Sequence, residues 1–238
     1  MEEILIVRPS TAHSAYKVAA DSFAELVARI AGADIDILTD NASLPDDSRP
    51  IVILGSDAVN HLSAKLYFER VVDGFDIRYN TDDYSIISAQ WKNHQVLILS
   101  GGRPRAAIYA VYRYFELFCG CRYFWDGDRI PSAGTLPFDN IHIAESPRFE
   151  YRGLRYFAHR SLHRFQAEHW SFDDWKQEID WILKKRLNMF MLRIGLDDLF
   201  QKAFPDLVSY PDPTQPLPEA GDGFDDRTLF WSLEYRGE

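Results

Sequence analysis

The stretch from Gly101 to Pro131, GGRPRAAIYAVYRYFELFCGCRYFWDGDRIP, limits what this chain can fold into more than any other. It follows an apolar run and opens on two glycines. Arg103-Pro104 then predicts a helix start, because proline at a first helical position loses no hydrogen bond and already has helical φ. Ile108, Val111, Tyr112 and Phe115 recur at helical spacing, so one stripe faces a core. Gly120 predicts the helix end, where a left-handed residue is needed. Cys121-Arg-Tyr-Phe-Trp reads as a strand entering a turn at Asp126-Gly127-Asp128, and Pro131 closes the unit.

The residues before this stretch supply the sheet that such a helix needs. Glu3–Arg8 is a short apolar run stopped by Pro9, a buried first strand. Ser14–Ile30 predicts a helix with Ala19, Phe23, Leu26, Val27 and Ile30 on one stripe and Gly32 as its stop. Asp34–Leu38 alternates as a second strand, and Ile51–Gly55 is unbroken enough to be buried on both faces. Ser56 is a plausible N-cap for a helix running through Asn60, Leu62, Leu66 and Val71. Tyr84–Trp91 and His94–Leu99, separated by Lys92-Asn93, predict a hairpin. This order gives a mixed-sheet α/β sandwich of about 145 residues, within the usual size of one domain. Gly55-Ser56-Asp57 and Gly101-Gly102 could each cradle a phosphate at a helix start. Both lack the glycine spacing and the Lys-Ser/Thr of a nucleotide site, which favours structural turns.

Charge and cysteine content exclude several classes. The 238 residues carry a formal net charge of −10, which argues against a nucleic-acid or anionic-membrane partner. No apolar stretch reaches spanning length, and no positively charged leader precedes the first strand, which points to a cytoplasmic protein. Cys119 and Cys121 flank one glycine, too close for an unstrained disulfide, and two thiols do not make a zinc site. His159, His163 and His169 lack the Glu of a helical zinc motif, so no metal and no cofactor is expected.

With the helix reading Ala107-Ile-Tyr-Ala-Val-Tyr-Arg-Tyr-Phe-Glu and the strand Gly120-Cys-Arg-Tyr-Phe-Trp-Asp-Gly, the stretch resembles the end of the small α/β domain that precedes the catalytic barrel in β-hexosaminidases, α-glucuronidases and α-N-acetylglucosaminidases. Asp126 stands where that pattern often has proline. After Glu145-Ser-Pro147, the string Pro147-Arg-Phe-Glu-Tyr-Arg152-Gly153-Leu resembles the first barrel strand of the same hydrolases. Trp175-x-x-Glu178-Ile179-Asp180-Trp181, followed by Leu187-Asn188-Met189, most resembles the α-N-acetylglucosaminidases, as does Arg155-Tyr156-Phe157. Two positions depart from the families. Ala158-His159-Arg160 replaces the usual Asn-x-Cys, and Phe157 stands where hexosaminidases have an Asp.

The resemblance implies an accessory domain over residues 1–145 and the opening of a (β/α)8 barrel over 146–238, with strands Arg152–Phe157 and Asn188–Ile194. Such a barrel takes about 250 residues, so six strands would lie beyond Glu238. The resemblance further implies a glycoside hydrolase acting on terminal N-acetylhexosaminides, or less favourably a uronide, with a carbohydrate as its partner. Its acid and base carboxylates would sit on later strands, so this length of chain would be inactive by itself and its catalytic residues stay unknown. The other function class is a non-catalytic carbohydrate-binding or docking protein using the α/β domain alone. Oligomeric state, anomer and retention or inversion stay open.

Within the barrel opening, Ser171 and Asp174 form a capping box, and Trp175, Ile179, Ile182, Leu183 and Arg186 form the stripe of the helix it starts. Asp173, Asp174 and Glu178 suit the positive end of that helix, and Asp180 is either solvated or paired with Lys184 at i,i+4. The candidate sugar contacts are Arg152, which matches the hexosaminidase Arg of Arg-Gly, together with His159, Arg160, Arg193 and Asp197. Asp197 and Asp198 follow a strand and are either rim carboxylates or an N-cap pair. Asp206 to Asp226 holds six carboxylates, no Lys or Arg and several prolines, which predicts a long acidic loop.

Overall fold

The computed structural model describes residues 3–11, 13–33, 35–132, 136–154, 171–190 and 203. The chain divides into two compact units, Met1–Arg152 with Lys176–Asn188, and Gly153–Trp175 with Met189–Glu238.

The first unit is built on a six-stranded mixed sheet. Its strands are β1 (Ile4–Arg8), β2 (Ile35–Thr39), β3 (Ile51–Leu54), β4 (Tyr84–Trp91), β5 (His94–Gly101) and β8 (His142–Glu145), in the order β2-β1-β3-β5-β4-β8. The first four in that order run parallel, β4 returns antiparallel against β5, and β8 is antiparallel to β4. The unbroken apolar runs lie in the middle, as strands covered on both faces must. All four residues of β3 are 0% exposed.

Alternation along each strand divides two cores. Ile4, Ile6, Val52, Leu54, Leu97 and Leu99 face the core built with α1 (Ser14–Ala31) and α3 (Pro104–Phe118). Leu5, Val7, Ile51, Ile53, Val96 and Ile98 face the core built with α2 (His61–Phe68). In the larger core Phe23 of α1 meets Phe115 of α3 with ring centroids 4.9 Å apart. Ala19, Ala20, Ala106, Ala107 and Ala110 are fully buried there, small residues that let helix and sheet approach closely. Each fully buried phenylalanine contributes about 1.5–3 kcal/mol.

The helix ends follow local chemistry. His13 Nδ1 accepts from Ala15 N at 3.2 Å to cap α1, and Gly32, at φ 60°, ends it in the left-handed region. Pro104 occupies the first turn of α3. Past its end, Gly120 turns at φ 73° and lets Cys121 N join Cys119 N on the Phe115 carbonyl, each at 3.1 Å.

Two local expectations are corrected. Asn60, not Ser56, caps α2: its side-chain oxygen accepts from Leu62 N at 2.9 Å and Ser63 N at 3.4 Å. Ser56 instead starts a turn whose carbonyl takes Val59 N and Asn60 N. Asn60 Nδ2 also donates to the carbonyls of Val7 and Leu54, at 3.2 and 2.9 Å, a double task beyond the reach of a serine hydroxyl. After α3, β6 (Arg122–Phe124) and β7 (Gly127–Arg129) pair antiparallel, so Trp125 and Asp126 make the turn and Gly127 already belongs to the return strand.

The helix α4 (Phe172–Lys184) begins with the expected capping box. Ser171 N donates to Asp174 Oδ2 at 2.8 Å while Asp174 N donates back to Ser171 Oγ at 3.3 Å. Its stripe is shifted from the expectation, with Ile182 and Glu178 buried at 5% and Ile179 exposed at 47%. Glu178 is not a solvated dipole partner, because Trp125 Nε1 donates to its Oε2 at 2.7 Å. Asp180 pairs with Lys176 at 2.6 Å rather than with Lys184, whose ammonium goes to Asp128.

In the second unit β9 (Gly153–Leu154) pairs parallel with β10 (Met189–Phe190). Gly153 is required there, since a Cβ would lie 2.8 Å from the Met189 carbonyl oxygen. Trp175 meets Phe190 edge-on at 5.9 Å.

Candidate functional site

In open α/β sheets ligands enter at the carboxyl ends of strands whose following helices cover opposite faces. Here that place lies between β1 and β3, and it is filled. The Asn60 amide bridges the two strand ends, Ser63 Oγ donates to the Gly55 carbonyl at 2.6 Å, and Gly55 N donates to Leu99 O at 2.9 Å. The Gly55-Ser56-Asp57 turn therefore offers no free Gly55 N–H to a phosphate. Gly102 N is likewise bonded, to Asp83 O at 2.8 Å.

The polar chemistry gathers instead around Asp82 and Asp83, in the turn before β4. Their side chains are 4% and 2% exposed. Arg78 donates from its backbone N at 3.1 Å and its Nε at 2.8 Å to Asp83 Oδ2, and from Nη2 at 3.1 Å to Oδ1. The guanidinium holds the Asp83 carboxyl below the usual carboxylate range, against the opposing effect of burial. Thr81 Oγ1 accepts from Asp83 N and donates to the Arg78 carbonyl, closing the turn. Gly102 packs directly beneath, where a Cβ would lie 2.2 Å from the Arg78 carbonyl oxygen.

Asp82 ties together segments far apart in sequence. Its Oδ1 accepts from Arg105 Nε at 2.7 Å, and its Oδ2 accepts from Arg152 Nη2 at 2.8 Å and Asn188 Nδ2 at 2.7 Å. Burial alone would raise this carboxyl, but the three donors outweigh it and hold the group ionised below its ordinary range. Arg152 also donates from Nε to the Arg186 carbonyl and from Nη1 to the carbonyls of Phe149 and Glu150. Asn188 and Arg152 exchange further bonds, Arg152 N to Asn188 Oδ1 at 2.8 Å and Asn188 N to Arg152 O at 2.9 Å.

Beside these carboxylates opens a pocket of about 290 Å³ lined by Arg78, Asn80, Thr81, Asp82, Asp83, Arg103, Pro147, Phe149, Glu150 and Arg152. A second cavity, about 320 Å³, lies over Asp40, His61, Lys65, Trp91 and Lys92. Its Trp91 is only 5% exposed and has Lys92 and Lys65 ammonium groups 4.6 and 5.4 Å from the ring centre, so no aromatic face is open there.

Of the residues expected to touch sugar, Arg152 lines the first pocket; His159, Arg160, Arg193 and Asp197 lie outside the described residues, as do Asp198, His163 and His169. Asp82, Asp83 and Arg78 were not singled out from the sequence, and Asn188 was read only as part of a motif at the start of a strand. Their partners are up to 106 positions away, and the only local signal is the Thr-Asp-Asp before an apolar strand. Cys119 and Cys121 are free and buried, and burial pushes the Cys119 thiol up to about 12. No described helix is long and apolar enough to cross a membrane, and no described group of three or more His, Cys, Asp or Glu could hold a metal.

Human alpha-N-acetylglucosaminidase is 25% identical to this chain over 104 residues, which are 44% of this chain and 14% of that protein. Two solved structures share the fold. A GH115 4-O-methyl-alpha-glucuronidase with specificity for decorated arabinogalactans gives a TM-score of 0.53 at 11% identity, covering 80% of this chain and 25% of that one. The protein CpGH84D gives 0.53 at 13% identity, covering 88% and 30%. This chain is similar to glycoside hydrolases. No family model matches it. The chain spans a small part of each of these proteins, 14% of the human enzyme.

Proposed function

We propose that this chain is the opening part of a glycoside hydrolase acting on terminal N-acetylhexosaminides, with an α/β accessory domain over residues 1–145 and the first two βα units of a (β/α)8 barrel over 146–238. The observation that carries this reading is the sequence similarity to human alpha-N-acetylglucosaminidase. Two features support it. A mixed sheet with an aromatic helix is followed by two parallel strands, β9 and β10, with α4 between them in the chain, as a barrel opening requires.

The buried carboxylates of the α/β unit support a supporting rather than a catalytic role. Glycoside hydrolysis needs a carboxyl that still holds its proton near neutrality to protonate the leaving oxygen. Asp82 and Asp83 are shifted the other way, held ionised by Arg105, Arg152, Asn188 and Arg78. Arg152, His159, Arg160, Arg193 and Asp197 remain the proposed substrate contacts.

The test is an assay of the purified 238-residue chain and of the product of its complete reading frame on a chromogenic N-acetylglucosaminide. The expected result is turnover by the complete product alone. Turnover by the 238-residue chain that disappears in Asp197→Asn or Asp198→Asn would overturn the division of labour, and turnover by neither would overturn the substrate class.

A further inference from the structure

The pocket beside Asp83 has a composition that selects a ligand. Its lining holds three guanidinium groups, Arg78, Arg103 and Arg152, and three carboxylates, Asp82, Asp83 and Glu150. A small anion or cation entering it meets as many groups of its own sign as of the other. A hydroxyl group both donates and accepts, so a neutral polyol can use both kinds.

The groups fall into a fixed floor and an available rim. Arg152, Asp82 and Asp83 have side chains only 14%, 4% and 2% exposed, and their hydrogen bonds to one another and to Arg78, Arg105 and Asn188 hold them in place. On the rim, Arg78, Arg103 and Glu150 are 70%, 35% and 64% exposed. Arg103 and Glu150 approach only to 4.0 Å, too far for a hydrogen bond, which leaves a guanidinium fork and a carboxylate facing each other. The exposed Asn80 adds an amide.

One wall is apolar. Phe149 is 64% exposed although its backbone is pinned, its carbonyl accepting from Arg152 Nη1 at 2.8 Å. The Arg148 guanidinium stands over one face of the ring, 5.6 Å from its centre, and Phe149 is still largely exposed. With Pro147 it makes the pocket's apolar surface. A solvent-facing aromatic ring on a pinned backbone, beside charge-balanced donors and acceptors, suits a ring with C–H groups on its face and hydroxyls on its edge. The volume, about 290 Å³, lies just below the range of drug-sized ligand pockets, about 300–1,000 Å³, room for one such ring rather than an oligosaccharide.

We propose that this pocket is a non-catalytic subsite for one neutral monosaccharide residue, with Phe149 as the stacking platform and Arg78, Arg103, Glu150 and Asn80 as hydroxyl contacts. Because Arg152 fixes the Phe149 and Glu150 carbonyls, the backbone beneath the platform is already ordered and binding loses less freedom than at a loose turn. None of these rim residues is assigned to bond cleavage; the lining shares only Arg152 with the proposed substrate contacts, so failure of the titration below leaves the hydrolase reading standing.

The test is a nuclear magnetic resonance titration of the full 238-residue chain with methyl α-glucoside, methyl N-acetyl-α-glucosaminide, glucuronate and sulfate. The expected result is saturable shifts at the amides of Thr81–Asp83 and Phe149–Glu150 with the two neutral glycosides, lost in Phe149→Ala and weakened about tenfold, or 1.4 kcal/mol, in Arg103→Ala. Both positions are on the surface, and an unchanged melting temperature checks that each variant folds. Three results would each overturn the proposal: no shift with either neutral glycoside, shifts with sulfate or glucuronate only, or neutral-glycoside shifts that survive Phe149→Ala.

Discussion

Asp82 is buried and ionised because three donors converge on it, so removing the charge and removing the group are different experiments. Asp82→Ala leaves the Arg105 and Arg152 guanidinium groups without their shared acceptor. The expected destabilisation is about 3–5 kcal/mol, the usual cost of breaking one side of a buried pair. Asp82→Asn keeps an acceptor oxygen and should cost less; urea unfolding of both variants checks the order. The same carboxylates set the acid response. Asp82, Asp83 and Glu116 all have folded-state values below their ordinary ones. In the unfolded chain they titrate near pH 4, so the unfolded chain binds more protons as pH falls. The stability these groups contribute is therefore complete above about pH 4 and is lost as pH drops through the lower folded values. Melting temperature should be level down to about pH 4 and fall below it, less steeply in Asp82→Asn. A midpoint that rose on acidification would contradict the ionised assignment.

Among the elements, α3 has the sharpest expectation. Ile108, Tyr112 and Phe115 are 3%, 8% and 0% exposed, as the helical spacing required. Phe115→Ala should cost about 3–5 kcal/mol by thermal or denaturant unfolding, since it removes a ring packed on Phe23 and Tyr114. On α4 the stripe read from spacing included Ile179, which is exposed, and left out Glu178, which is buried. Helical periodicity marks a face only to within about one residue, and the Trp125 indole decides which neighbour turns inward by offering Glu178 a hydrogen bond. Ile182→Ala should thus cost about 2–5 kcal/mol and Ile179→Ala much less; equal losses would show that the helix packs by its sequence stripe after all. The Ser56 cap failed for a related reason. A serine after a strand is locally a good cap, yet Asn60 satisfies two helix N–H groups and two strand carbonyls at once.

For the whole molecule, the strands of the central sheet and the pair β9–β10 differ in what protects them. β3 and β5 are hydrogen-bonded on both edges and covered on both faces. Met189 is 44% exposed, and β9 and β10 have only each other as partners among the described residues. Amide hydrogen exchange should therefore be slowest in Ile51–Leu54 and Val96–Leu99 and faster by orders of magnitude in Met189–Phe190. Equal protection in a monomer would show that the second unit completes a sheet of its own.

What the sequence determined by itself is the class of each strongly patterned element: the apolar runs of β1, β3 and β5, the stripes of α1 and α3, the Lys92-Asn93 hairpin and the stops at Gly32 and Gly120. These are set by interactions within a few residues, by backbone sterics and by which side chains leave water, so neighbours along the chain contain the answer. The sheet order, the closure of the β1–β3 crevice by Asn60 and the Asp82 cluster were decided only in the tertiary structure. Asp82 reaches Arg152 and Asn188 across 70 and 106 positions, and no local pattern states which arginine a carboxylate will find. The pocket follows the same rule. Arg78 carries no signal in the sequence, and Arg103 and Phe149 are read there only as a helix start and as part of a strand motif; they become a site because the turn before β4, the start of α3 and the segment after β8 meet.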